Sequence, residues 1–141
     1  MGIGEVLFGG RINRGAYWLI TLGMFVVTMV IVMGLVFAPL DSGASRAAAI
    51  VIGAIVALVF VMASAAVAIK RLHDRDKSGW WLLVFYLVPA ILDGVRETLQ
   101  GSSLAAAFAL ASAGIGLWAF IELGCLRGTE GYNDYGPDPL G

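Results

Sequence analysis

A chain of 141 residues that is 60% hydrophobic and only 13% charged is one domain by size, and far more apolar than a soluble domain, which is roughly 45–50% apolar and about 25% charged. Its mean hydropathy of +0.89 is concentrated in long uncharged runs, which points to an integral membrane protein. The net charge of −1 carries little as a total, because position matters more than sum in a membrane chain. The single cysteine excludes an intrachain disulfide.

Residues 1–15 are Gly-rich and carry Arg11 and Arg14. An uncharged run over 16–38 follows, long enough at about 1.5 Å per residue to cross a hydrocarbon core of roughly 30 Å. It is too long for a signal-peptide h-region and lacks an A-x-A cleavage site, so it reads as an uncleaved first span. Tyr17 and Trp18 stand where an interfacial aromatic belt would put them. Pro39, Asp41, Ser42 and Gly43 form a turn. The second span covers about 47–69, where Gly53 and Ala57 form a small-xxx-small pair suited to close helix packing.

A short polar hinge, KRLHDRDKSGWW over 70–81, comes next. In a helix extended past the membrane, Asp74 falls at i,i+4 from Lys70 and i,i+3 from Arg71. Ser78 and Gly79 mark the change of helix, and Trp80 and Trp81 anchor the next span at the interface. The third span is about 80–99. Its apolar part, 80–92, is short, and Pro89 either kinks a crossing helix or helps turn a re-entrant one. The crossing helix is preferred because lipid-exposed non-helical backbone is costly. The fourth span covers about 104–126. The tail, 127–141, is rich in turn formers and predicts irregular ordered structure.

Four spans place Arg11, Arg14, Lys70, Arg71, Arg75, Lys77 and Arg127 on one side and only Arg46 and Arg96 on the other. The positive-inside rule then sets both termini and the hinge in the cytoplasm. The expectation is an all-α integral membrane four-helix bundle, one domain over 1–141, with a cytoplasmic polar cap.

Three polar stretches meet in that cap: GRINRGAYW (10–18), KRLHDRDKSGWW (70–81) and RGTEGYNDYGPDP (127–139). Gly10, Arg11, Arg14, Tyr17 and Trp18, then Arg71, His73, Asp74, Ser78, Gly79, Trp80 and Trp81, then Gly131, Asn133, Tyr135, Gly136, Pro137 and Pro139 form three ordered motifs. In these the chain resembles the domain-of-unknown-function 805 family of small bacterial inner-membrane proteins. The resemblance implies a multi-span inner-membrane protein and no activity. Asp76 departs from it, since relatives often carry Gly or Asn there. The departure makes the hinge less basic and weakens a pure anion-binding reading.

The candidate cap or ligand-binding residues are Arg11, Arg14, Arg71, His73, Asp74, Ser78, Trp80, Trp81, Glu122, Asn133 and Tyr135. A purely structural cap accounts for nearly all of them. The cations also suit anionic lipid headgroups or a phosphorylated ligand, and a homo-oligomer or a membrane partner protein is the other class of partner. A small oligomeric transporter is an alternative, and so is a membrane-embedded enzyme. For the enzyme His73 is the sole imidazole, with Asp74 adjacent in sequence and badly placed to orient it. No cofactor, catalytic set or metal site is expected: zinc and iron sites gather several His or Cys ligands, whereas Cys125 falls inside the last span as a small apolar residue. No nucleotide or nucleic-acid motif is present.

Two contacts are expected of the cap. The tail over 130–139 should fold back on the hinge, with Asn133 and Tyr135 supplying hydrogen bonds and Glu130, Asp134 and Asp138 facing the hinge cations. Glu122, the one acid inside an apolar run, should pair with Arg71.

Overall fold

The computed structural model describes residues 8–39 and 41–140; the first seven residues of the expected cytoplasmic N-terminus, and the final Gly141, lie outside them. The described residues form four α-helices: α1 (Arg14–Val36), α2 (Gly43–Asp74), α3 (Trp81–Thr98) and α4 (Ser103–Phe120), the last running into a π-helical turn, Ile121–Cys125. Each boundary has a local cause. Asn13 caps α1 by accepting the Ala16 amide. Ser42 and Ser45 form a reciprocal capping box at the start of α2, and Ser102 caps α4 through the Leu104 amide. The first turn of α3 has no side-chain cap; instead Trp81, Leu82 and Leu83 donate backwards to the carbonyls of Ser78, Gly79 and Trp80.

Helix α2 closes differently. The Asp76 amide donates to the His73 carbonyl (3.0 Å) and the Lys77 amide to the Leu72 carbonyl (2.9 Å), which is a Schellman closure with Asp76 at its left-handed position, φ 56°. Gly or Asn suits a left-handed φ better than Asp, so this position carries a backbone demand beside its charge. Asp76→Gly should raise stability by up to about 1 kcal/mol and Asp76→Val should lower it, measured as melting in detergent.

Helix α2 has 32 residues, about 48 Å at 1.5 Å per residue. It overshoots the expected span of 47–69 at both ends. Helices α1, α2 and α4 with its π turn are long and apolar enough to cross a membrane. Helix α3 carries Asp93, Arg96 and Glu97 near its end, yet it is one unbroken helix with Pro89 inside it. It returns antiparallel to α4: Trp81 and Phe85 meet Trp118 edge-on at one end, while Ser112 donates to Asp93 (3.1 Å) further along. The tail thus returns to the hinge end, and a re-entrant 80–92 that would part the two is not what forms.

Along the spans the large apolar side chains face outward: Leu19, Val30, Ile50 and Leu110 are all strongly exposed. Burial gathers at the hinge end instead, around Ala68, Leu72, Phe85 and Leu123. Arg71 and Asp74 are as deeply buried as Leu72, at 0%, 2% and 0% exposure. This is the distribution of a four-helix membrane bundle, apolar where it meets lipid and polar where it meets itself.

Candidate functional site

The hinge end is built on Asp74. Its Oδ1 accepts Nε (3.2 Å) and Nη2 (3.1 Å) of Arg11, and its Oδ2 accepts Nη1 of Arg71. All three side chains are at least 97% buried. The i,i+3 spacing of Arg71 and Asp74 is thus used as expected, and Arg11 comes from 63 residues away. Charge-assisted hydrogen bonds of this kind are roughly twice as strong as neutral ones.

Each arginine spends its other donors on backbone. Arg11 donates to the carbonyls of Thr129 (2.5 Å), Gly131 (2.7 Å) and Gly136 (3.1 Å) in the tail. Arg71 donates to Leu123 (2.8 Å) and Leu126. The π turn widens the helix by one residue per turn and leaves its last carbonyls without ordinary helical partners. Arg71 fills one of these places, at Leu123, and the Trp18 indole another, at Gly124 (3.0 Å); the second Arg71 acceptor, Leu126, is the residue just past the turn. A Cβ on Gly124 would lie 2.7 Å from the Trp18 ring, so a side chain there would push the indole away.

Glu122, buried at 4% exposure, is held by Arg75 (3.1 Å) and Lys77 (2.9 Å). The expected pair with Arg71 is overturned, since Arg71 is occupied by Asp74 and the π-turn carbonyls. The Schellman turn after α2 swings Arg75 and Lys77 over the acid, and Lys77 also lies 4.9 Å over the Trp81 ring.

The tail also docks on the hinge itself. Asn133 donates to the His73 carbonyl and to Thr129 Oγ1, both at 2.9 Å, and Thr129 donates its amide to the Asp74 carbonyl (2.8 Å). Tyr135 stacks flat on His73, with ring centroids 3.9 Å apart and planes 5° apart. The polar bond of Tyr135 is its amide, given to Asn133 Oδ1 (2.9 Å). Two of the tail acids, Glu130 and Asp138, do not meet the hinge cations as expected. Glu130 pairs with Arg127 of its own segment, and Asp138 accepts the Leu140 and Gly131 amides. The Leu140 amide above all, then that of Gly131, holds the exposed Asp138 carboxyl below its usual range.

The remaining candidates stand apart from this node. Arg14 is exposed and reaches the Cys125 carbonyl, at 3.5 Å. Trp80 is 76% exposed. Ser78 enters the hinge through its carbonyl, while Trp81 packs against the core. Cys125 is exposed rather than packed. His73 turns Nδ1 to the Gly10 carbonyl (3.3 Å), and the carboxylate of Asp74 is given to arginines, so Asp74 does not orient the imidazole as a base. Among the described residues no group of three or more His, Cys, Asp or Glu could hold a metal, and no buried side-chain nitrogen or oxygen lacks a hydrogen bond.

Sequence reasoning missed Thr129, Gly124 and Gly128. The two glycines are needed because other side chains approach their Cα, which no local pattern announces. Thr129 lies just before the third motif, and only its docked position reveals a role.

No solved structure matches the chain. It is 32% identical to the inner membrane protein YhaH of Escherichia coli K12, over 94% of this chain and 86% of the relative. It is 31% identical to the uncharacterized protein YiiR of the same strain, over 93% and 84%, and 28% identical to its inner membrane protein YhaI, over 94% and 85%. The family model described as a protein of unknown function, DUF805, matches residues 6–137, a stretch holding the first two motifs, the third as far as Pro137 and every residue of the Asp74 node, and the chain belongs to that family.

Proposed function

We propose that the chain is a non-enzymatic, four-span protein of the bacterial inner membrane, with both termini and the polar end in the cytoplasm. On this reading the polar end is a rigid platform at the membrane surface. The observation that carries it is the Arg11–Asp74–Arg71 node, which binds the N-terminal segment, the hinge and the tail into one body. The deep cations there are saturated by internal acceptors, which leaves them to organise a surface rather than to take a ligand. The orientation follows from the cation-rich end, with Arg11, Arg14, Lys70, Arg71, Arg75, Lys77 and Arg127 against Arg46 and Arg96.

A second reading has its own support. A small pocket of about 200 Å³ lies at the rim, lined by Asn13, Arg14, Arg127 and Gly128 together with the acids Asp74 and Asp138. Its two arginine side chains reach solvent, and anionic lipid headgroups are the class of ligand that suits cations at a membrane surface.

In a Cys125→Ser background, single cysteines replacing Gly43 and Ser102 should label from the periplasm, and those replacing Ser78 and Thr129 should not. Labelling of the Thr129 position from outside would overturn the topology. Native mass spectrometry of the purified protein tests the rim: selective retention of anionic lipid that falls with Arg14→Ala and Arg127→Ala supports it, and retention indifferent to both removes it.

A further inference from the structure

Away from the hinge, the α3–α4 hairpin carries charge at a depth where α2 carries none. Gly79 packs against Ile69 where α2 and α3 meet, so the two residues stand level. Asp93 is fourteen residues past Gly79, about 21 Å farther along α3 at 1.5 Å per residue. Beside it the uncharged run of α2, over 47–69, goes on for about 33 Å. Asp93 therefore lies about 12 Å inside the outer end of that run, and Arg96 about 7.5 Å inside. Ionisable side chains at such a depth are rare, and they pair or face a water-filled cavity. Here the pairing is partial. Arg96 Nε lies 3.4 Å from Asp93 Oδ1, and Ser112 donates to Asp93 Oδ2 (3.1 Å). Among the described residues the two Nη groups of Arg96 meet no acceptor, while a carboxylate has about four acceptor sites. Both side chains are close to half exposed. Apart from its own π turn, α4 packs on α3 and on no other helix among the described residues, which leaves the pair open to whatever lies beside the hairpin.

We propose that this face of the α3–α4 hairpin is where two copies of the chain associate in the bilayer, Asp93 of each pairing with Arg96 of the other. Charge selects this occupant. The partner must bring both an anion and a cation to one depth of the membrane. A second copy related by a two-fold axis along the bilayer normal does so by symmetry, because like residues stand at equal depth and every contact occurs twice. Asp93 and Arg96 are about 4.5 Å apart in depth, within reach of an arginine side chain. A lipid tail answers neither charge. The short Asp93 side chain cannot reach headgroups about 12 Å away, as a long Lys or Arg could. Small residues let a second backbone approach: a Cβ on Gly94 would meet nothing within 4 Å, and Ala105, Ala106 and Ala109 line the open groove beside Arg96. The inference concerns the outer end of the bundle and does not rest on the cytoplasmic platform or its rim pocket.

The test uses the full chain in a Cys125→Ser background, with donor and acceptor dyes on a cysteine replacing Gly43, in dilute vesicles of phosphatidylethanolamine and phosphatidylglycerol. Energy transfer in the otherwise unchanged chain should exceed the level of random proximity several-fold. Asp93→Arg and Arg96→Asp should each fall to that level, because each sets like charges against one another. A mixture of the two variants should regain transfer, since one then supplies the cations and the other the acids. A pair that served only its own helix would gain nothing from mixing. Transfer at the random level in the otherwise unchanged chain overturns the proposal whether or not the variants fold. So does a mixture no better than its components when both variants melt cooperatively. A cysteine replacing Gly94 gives a readout free of charge changes, and it should form disulfide-linked dimers under mild oxidation. No dimer, with equal labelling by an impermeant thiol reagent at every dilution, would give the face to water and sink the proposal. A cross-link in cells to a different membrane protein, and none to a second copy, would sink it too.

Discussion

Asp74→Ala should cost about 3–5 kcal/mol, the usual cost of removing one partner from a buried ion pair. The reason is what it leaves behind. Arg11 and Arg71 are at least 99% buried in their side chains, and each would lose its only carboxylate among the contacts described above. Two like charges would then face each other without an anion between them. Asp74→Asn, which keeps the shape, should recover only part of the loss. Its amide can accept from one guanidinium, but its NH₂ must point at the other. Thermal melting in detergent measures the total, and proteolysis of the tail measures the local part, because Arg11 holds Thr129, Gly131 and Gly136 only while it is itself held. Glu130→Ala gives the contrast. Its pair with Arg127 is 74% and 68% exposed in the side chains, and exposed pairs are worth 0–1 kcal/mol at the median. Wild-type melting and an intact tail in Asp74→Asn would show that the node does not hold the platform together.

Much of this architecture can be read from the residues, and what cannot be read has a physical pattern. Apolar run lengths locate the helices, because a bilayer sets span length. The three polar motifs announce a shared end, because alternate helix ends of an antiparallel bundle coincide. Local spacing announces Arg71 with Asp74. The partner of Glu122 is hidden for the opposite reason: Arg75 and Lys77 lie beyond the last helical residue, where helical spacing no longer sets position. The π turn is equally silent, since Ile121–Cys125 carries no proline or other residue that marks an inserted position. Tail docking is foreseeable from Asn133 and Tyr135. Its chemistry is not, because it runs through backbone carbonyls, which every residue has, and through the flat face of an imidazole. Charge counting therefore finds the right surfaces and the wrong bonds.

Gly128→Ala should be as damaging as many core deletions although it adds a single methyl. Gly128 has no positive φ among the backbone features of the chain, so its requirement is space and not conformation. A Cβ there would lie 2.5 Å from Cγ and 2.7 Å from Oδ1 of Asp74, with Oδ2 nearer still. That carboxylate is not the free end of a flexible side chain. It is fixed from both sides by Arg11 and Arg71, and the next residue, Thr129, bonds through its own amide to the Asp74 carbonyl. Neither wall can yield without breaking a buried charge-assisted bond, so the expected loss is about 1–3 kcal/mol from overpacking, and more if the ion pair opens. A double-mutant cycle separates this cause from a general intolerance of the turn. In an Asp74→Ala background the obstruction is gone, and adding Gly128→Ala should cost a few tenths of a kcal/mol at most. The coupling between the two sites should then exceed the roughly 0.5 kcal/mol expected of independent ones. Additive losses in detergent melting would mean that Gly128 serves the tail in some way unconnected with Asp74.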